Sequence, residues 1–187
     1  MRIISGTFRG KKILSPSDKV TRPLKDLTKE SIFNIIKHSN LIELKIEKSN
    51  VLDLFSGVGS FGLECLSRGA SNVFFYEKYE NVIKILKKNI QNLEFVEQTS
   101  IIKDDIFNKD NLIRLKDKFE IIFIDPPFKE KKIFNLIENI DKLNLLKKKG
   151  IIIIHRHKKE RDNFPKKFNV LLEKTYGISK IIFGNYV

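Results

Sequence analysis

The chain has 187 residues, 41% hydrophobic and 32% charged, with one cysteine and a formal net charge of +13. That length suits one α/β domain with a substantial core, and a lone cysteine excludes an internal disulfide framework. No apolar run approaches the roughly 18 residues that a membrane-spanning helix needs, and no apolar signal segment follows the basic start Met1-Arg-Ile-Ile-Ser-Gly, so a cytoplasmic protein is expected, with no membrane partner.

The positive charge suggests a polyanionic partner such as nucleic acid. Of the 36 basic residues 29 are lysine, a bias that an AT-rich genome could produce alone, so their distribution says more than their number. Residues 1–25 carry seven basic side chains (Arg2, Arg9, Lys11, Lys12, Lys19, Arg22, Lys25) against one acid, Asp18. Three of the chain's seven arginines are among them, and arginine is the better phosphate fork.

In chain order, residues 1–14 place apolar pairs around two glycines, as in a small β-hairpin with a basic face. A merely solvated face is the alternative. Residues 15–20 form a loop, and Leu27, Ile32, Phe33, Ile35 and Ile36 have the spacing of a helix packed on a sheet, with Asp26 placed to cap it.

The stretch Val51-Leu-Asp-Leu-Phe-Ser-Gly-Val-Gly-Ser-Phe-Gly62 is an apolar strand running into a glycine-rich turn and then a helix that contains Cys65, expected as a packed core thiol. Glycines there allow close backbone approach to a ligand beside the unpaired N–H groups of the helix start. Gly57-x-Gly59-x-x-Gly62 alone also fits a dinucleotide. Asp53 favours the other reading: a carboxylate just before the turn would repel a pyrophosphate and suits a cationic ligand such as S-adenosylmethionine, with its ammonium and sulfonium. Phe55 and Ser56 belong to the same turn. Glu77, closing the run Asn72-Val-Phe-Phe-Tyr-Glu77, can accept ribose hydroxyls, with Lys78 beside it.

Residues 79–92 read as a crossover helix, Ser100 to Phe107 as a third strand, and 111–116 as a short helix. Asp104 is placed to accept from an adenine amino group and Asp105 to touch the ring through its backbone; helix capping is the alternative for both. Ile121 to Ile124 is a buried strand ending in Asp125-Pro126-Pro127-Phe128. Two prolines fix φ and remove two donors, leaving a stiff ledge of acceptors with an aromatic face beside it. An exocyclic amine could bond Asp125 and the Pro126 carbonyl while its base stacks on Phe128. A plain strand terminator is the alternative. An amphipathic helix over 129–140, a buried strand over 150–155, and two β-rich runs, 168–176 and 179–186, joined at Gly177 complete the chain. No metal site is expected, because His155 and His157 have no cysteine or acid at a ligand spacing.

Alternating strands and helices that end in a hairpin imply an α/β fold with a doubly wound, mostly parallel sheet and a ligand at the carboxyl ends of its strands, where Asp53, Glu77, Asp104 and Asp125 all fall.

The opening Arg2-Ile-Ile-Ser-Gly-Thr-Phe-Arg-Gly, the Thr21-Arg-Pro block with Glu30 and Phe33-Asn34, Asp53-Leu-Phe-Ser-Gly-x-Gly and Asp125-Pro-Pro-Phe128 together resemble the bacterial 16S rRNA guanine-N2 methyltransferase family over nearly the whole chain. Leu24, Lys29 and His155 depart from its pattern, where a threonine, an arginine and an acid are usual. The resemblance implies a Rossmann-like, seven-stranded sheet with an RNA-contacting hairpin-plus-helix extension at 1–40 and a catalytic domain at 41–187. It implies S-adenosylmethionine held by Asp53, Phe55, Ser56, Gly57, Gly59, Glu77, Lys78, Asp104 and Asp105. A guanine would sit at Asp125, Pro126, Pro127 and Phe128, and 16S rRNA, within a small-subunit particle, would lie along Arg2, Arg9, Lys11, Lys12, Arg22 and Lys25. Arg22 suits either the cofactor carboxylate or an RNA phosphate. The chain is expected to act as a monomer. Methylation of a DNA adenine or a protein glutamine amide, a non-catalytic RNA-binding module and a dinucleotide oxidoreductase remain as alternatives.

Overall fold

The computed structural model describes residues 1–16, 24–107, 112–115 and 117–187. Its framework is a seven-stranded sheet in the order β3-β2-β1-β4-β5-β7-β6. The strands are β1 (Asn50–Leu54), β2 (Asn72–Glu77), β3 (Thr99–Lys103), β4 (Phe119–Ile124), β5 (Leu146–His157), β6 (Phe168–Tyr176) and β7 (Ser179–Tyr186). β1 to β5 are mutually parallel, while β7 runs antiparallel to both β5 and β6. The predicted terminal hairpin therefore closes one edge of the sheet.

Both faces of the sheet are apolar, because alternate strand residues point to opposite sides. Val51, Val73, Phe75, Ile121, Phe123, Ile151 and Ile153 meet α1 (Asp26–His38), α2 (Ser60–Ser67) and α3 (Glu80–Asn92). Leu52, Leu54, Ile122, Ile124, Ile152 and Ile154 meet the buried stripe Ile133, Leu136, Ile137 and Ile140 of α4 (Ile133–Lys142). Phe33 of α1 stacks on Phe61 of α2 at 5.2 Å, and Phe61 on Phe123 of β4 at 4.0 Å. Each such ring pair adds about 0.5–1.5 kcal/mol beyond its buried area, so α1 is anchored directly above the centre of the sheet.

Several boundaries depart from the sequence reading. Asp26 is the first residue of α1 and not its cap; Lys25 holds the cap position without a side-chain hydrogen bond. The third strand stops at Lys103, which leaves Asp104 and Asp105 in the loop beyond it. β5 starts at Leu146, earlier than expected, and its lysines lie across a register shift against β4 between Phe119 and Ile121. Of the helix expected over 111–116, Asn111 and Lys116 lie outside the described residues.

The N-terminal hairpin has one antiparallel bridge, Arg2 to Lys12, and its Ile3 and Ile13 join the core around α1, α2 and α3. The buried Glu64 of α2 anchors it, accepting from the Ile4 and Ser5 N–H groups at 2.7 and 2.9 Å and pairing with Lys29 at 3.4 Å and Arg68 at 2.8 Å. Lys29, with no exposed surface, also donates to the Arg2 carbonyl at 2.7 Å. Burial pushes the Lys29 ammonium down, and Glu64 works against it. Lysine at a position where the resembling family prefers arginine thus completes a buried ionic knot between hairpin, α1 and α2.

Candidate active site

β1 to β4 stop at one edge of the sheet, and a cavity of about 360 Å3 opens there, within the size range of small-molecule sites. Asp53, Glu77, Asp104, Asp105 and Asp125, spread over 73 positions of sequence from 53 to 125, all line it. So do Phe55, Ser56, Gly57, Lys78, Pro126, Pro127 and Phe128.

The glycine turn is built against Glu77. Phe55, Gly57 and Gly59 have φ of 60°, 55° and 85°, and Gly57 N–H donates to Glu77 Oε2 at 2.9 Å. Glu77 Oε1 accepts from the Lys78 and Tyr79 N–H groups at 2.8 and 3.0 Å. A carboxylate offers about four lone-pair positions; Oε2 keeps room for one further donor, such as a ribose hydroxyl. The two loop glycines serve different ends. A Cβ on Gly57 would meet nothing within 4 Å and would stand in the cavity, whereas one on Gly59 would lie 2.5 Å from Leu86 Cδ1. Gly59 therefore packs the turn on the core and is not among the residues that line the cavity.

Asp53 is 1% exposed, and its Oδ2 accepts from the Gly62 N–H of α2 at 3.0 Å. Burial pushes its carboxyl well up, Gly62 opposes this, and the negative charges of Asp125 and Glu77 push it further. Three acidic groups thus crowd one cavity, an arrangement that a cation relieves. Lys78 pairs with Asp105 at 3.2 Å, and Asp105 Oδ1 accepts from the Phe107 N–H at 3.0 Å, which holds the Asp105 carboxyl below its usual value. Asp104 Oδ1 accepts from the Asp105 N–H at 3.0 Å. These bonds fold the loop so that Phe107 comes within 5.7 Å of Phe55, two aromatic walls on the cavity.

Asp125 extends from β4 with its side chain 16% exposed. His155 Nδ1 lies 2.8 Å from Asp125 Oδ1, and His155 Nε2 lies 2.9 Å from Ser179 Oγ. Phe128 is held edge-on by His157 at 4.9 Å and His155 at 5.9 Å. Arg156, with no exposed surface, grips Asp162 at 2.8 Å and donates to the Glu130 carbonyl at 2.8 Å, which fixes the loop after the prolines. Phe107, His155, Arg156, Asp162 and Ser179 were all missed as site residues. The signal available for two of them was a polar pair, His155-Arg156, ending an otherwise apolar buried strand.

Of the basic residues expected at RNA, Arg2, Arg9, Lys11, Lys12 and Lys25 are exposed on or beside the hairpin and none lines the cavity. Their neighbours Met1, Pro16 and Leu24 do line it, so the hairpin borders its mouth. Arg22 lies outside the described residues. Among the described residues no three His, Cys, Asp or Glu side chains converge as a metal site, and no helix is long and apolar enough to cross a membrane.

S-adenosylmethionine fits these residues. The space beside Gly57 admits a ligand, the crowded carboxylates favour its cationic groups, and Phe55 and Phe107 can flank its purine. Tyr76, whose phenol is pushed up to about 12 by burial and the nearby Asp104, adds at the wall a hydroxyl without a hydrogen-bond partner among the described residues. Strand order, antiparallel β7 and this rim of acids around a glycine turn define a class I S-adenosylmethionine-dependent methyltransferase.

The family model described as "Conserved hypothetical protein 95" matches residues 1–185. Ribosomal RNA small subunit methyltransferase D of Haemophilus influenzae is 35% identical over 187 residues, covering 95% of this chain and 90% of that protein. The solved structure of the methylase HI0767 from Haemophilus influenzae has a TM-score of 0.77 at 30% identity, covering 100% of this chain and 98% of that one. That of yhhF from Escherichia coli has a TM-score of 0.82 at 24% identity, covering 100% and 97%, a likeness of fold. The chain belongs to the Conserved hypothetical protein 95 family, that of the ribosomal RNA small subunit methyltransferase D proteins.

Proposed function

We propose that this enzyme methylates the exocyclic N2 of a guanine in 16S rRNA, acting as a cytoplasmic monomer on a small-subunit particle. One observation carries the reading: a stiff Asp125-Pro-Pro-Phe128 ledge and the Gly57–Glu77 turn share a single cavity, so a methyl-accepting amine on one side and a methyl donor on the other come within reach.

Glu77, Phe55, Phe107 and Asp104 would hold the ribose and purine of S-adenosylmethionine, with Asp53 answering its positive charge. Lys78 and Asp105 shape that wall, and Ser56 completes the turn. When bound, the cofactor supplies an electrophilic methyl group on a sulfonium. The chain's own residues do the rest. Phe128, braced by His157, offers its ring to a guanine turned out of the RNA stack. Asp125 and the Pro126 carbonyl accept the two N2 hydrogens and so fix the direction of the nitrogen lone pair. Aromatic amines are weak nucleophiles, and placing them correctly can supply several kcal/mol of the barrier. After transfer the amine is cationic and one of its protons passes to Asp125, so no strong base is needed. Arg2, Arg9, Lys11, Lys12, Lys25 and Arg22 would meet RNA phosphates from the hairpin side.

Tritiated S-adenosylmethionine offered with undermethylated small subunits, naked 16S rRNA, duplex DNA and release factor tests this. The expected label is on small-subunit RNA, at guanine N2 by mass mapping. Label on DNA or on a glutamine amide would overturn the substrate, and no label on any of the four would overturn the enzyme reading.

A further inference from the structure

The polar groups behind Asp125 form a chain that the methyltransferase reading does not need and does not explain. β4 and β5 are parallel with Ile124 opposite Ile154, so the next residues, Asp125 and His155, emerge side by side. β5 and β7 are antiparallel with His157 opposite Ser179, which brings the start of β7 alongside the same imidazole. The outcome is Asp125 Oδ1 to His155 Nδ1 at 2.8 Å and His155 Nε2 to Ser179 Oγ at 2.9 Å, with His155 2% and Ser179 6% exposed.

Hydrogen-bond logic assigns the protons. A carboxylate oxygen 2.8 Å from an imidazole nitrogen needs one hydrogen between them, and Nδ1 supplies it, since Asp125 must be ionised to accept from an amine. With one proton on the ring, Nε2 is then an acceptor, and the Ser179 hydroxyl, 2.9 Å away, is placed to donate to it. Ser179 thus fixes the tautomer, and the tautomer fixes which way the carboxylate can turn. With Oδ1 engaged by His155, Oδ2 is the oxygen presented to substrate. The same logic rules out a proton relay. Nδ1 already bears a hydrogen, so a proton arriving on Asp125 goes out through the cavity mouth and not inward.

We propose that His155, held by Ser179, is a positioning residue that sets the orientation of the Asp125 carboxylate for amine recognition. Buried imidazole and hydroxyl cost free energy unless hydrogen-bonded, and here their bonds end on the one acid that faces the substrate amine. This rests on the assignment of Asp125 as the group that accepts that amine, and the experiment below separates failure of one from failure of the other.

Two substitutions at one position provide the test, because asparagine places its amide nitrogen near the imidazole Nδ1 and glutamine places it near Nε2. With small subunits as substrate, His155→Gln should lower kcat about 10- to 100-fold, the scale of a misplaced catalytic group. His155→Asn should recover to within a few-fold of the parent. Affinity for S-adenosylhomocysteine by calorimetry should stay unchanged in both, and their melting temperatures should fall alike. Equal activity of the two variants, whether both high or both low, overturns the proposal, since a purely structural role does not distinguish the two nitrogens. Should both variants unfold, Ser179→Ala decides: a several-fold drop in kcat at constant S-adenosylhomocysteine affinity supports the proposal, and unchanged kcat overturns it. Asp125→Ala in the same assay should be inactive; activity there would refute the role of Asp125 itself.

Discussion

The glycines of the cofactor turn make separable predictions, because structure gives each a different reason to be glycine. A Cβ on Gly62 would lie 2.4 Å from Phe75 Cε1 and 2.7 Å from Val73 Cγ1, both side chains fully buried. Overpacking of this kind costs about 1–3 kcal/mol, while alanine inside α2 regains up to about 1 kcal/mol of helix propensity. The net loss for Gly62→Ala is about 1–2 kcal/mol, or a Tm lower by about 2–8 °C in a domain of this size. Gly57→Ala meets no atom within 4 Å but must hold a φ of +55°, which costs about 1–2 kcal/mol. Its methyl group stands where the cofactor is expected, so affinity for S-adenosylhomocysteine should fall at least about tenfold, equivalent to ~1.4 kcal/mol. Differential scanning calorimetry and titration calorimetry on the two variants read both quantities. Cofactor affinity for Gly57→Ala within twofold of the parent would refute the placement of the ligand against that turn, as would a Gly62→Ala variant that keeps its Tm and loses binding.

Asp53→Asn keeps an acceptor for the Gly62 N–H and removes the buried charge. Because the folded Asp53 carboxyl titrates above its unfolded value, its contribution to stability is complete below the unfolded pKa and is lost as pH rises through the folded one. The Tm of Asp53→Asn relative to the parent should therefore climb from pH 4 toward neutrality, with weaker S-adenosylmethionine binding; a flat difference across that range would contradict the burial argument. Asp162→Ala leaves the fully buried Arg156 with the more distant Glu160, at 3.8 Å, as its remaining carboxylate among the described residues, which should cost up to about 3–5 kcal/mol in urea denaturation. The double variant Arg156→Met/Asp162→Ala should recover part of that loss, and no recovery would argue against a buried pair.

Strand and helix periods were legible wherever burial is two-sided or an apolar stripe is clean, as in β4 and α3, and the β6–β7 hairpin was legible as two β-rich runs meeting at Gly177. The cavity's acids were legible too, because parallel strands deliver their last residues to one edge. What could not be read lies in long-range pairing. Lys147 to Lys149 interrupt an apolar run, so the early part of β5 is hidden until β4 is seen to pair with Phe119 opposite Leu146. His155 shows no spacing to Asp125 or Ser179, 30 and 24 positions away, that could announce their bonds. Charge was visible at Lys29 and Glu64, but that both are buried became clear only when the hairpin was found against α2.

Soaking or co-crystallising the protein with S-adenosylhomocysteine tests the central claim most directly. The account predicts the ribose at Glu77, the purine between Phe55 and Phe107, and the sulfur facing Asp125 and Phe128. Ligand bound with its sulfur away from the Asp125-Pro-Pro-Phe128 ledge, or outside this cavity altogether, would contradict it.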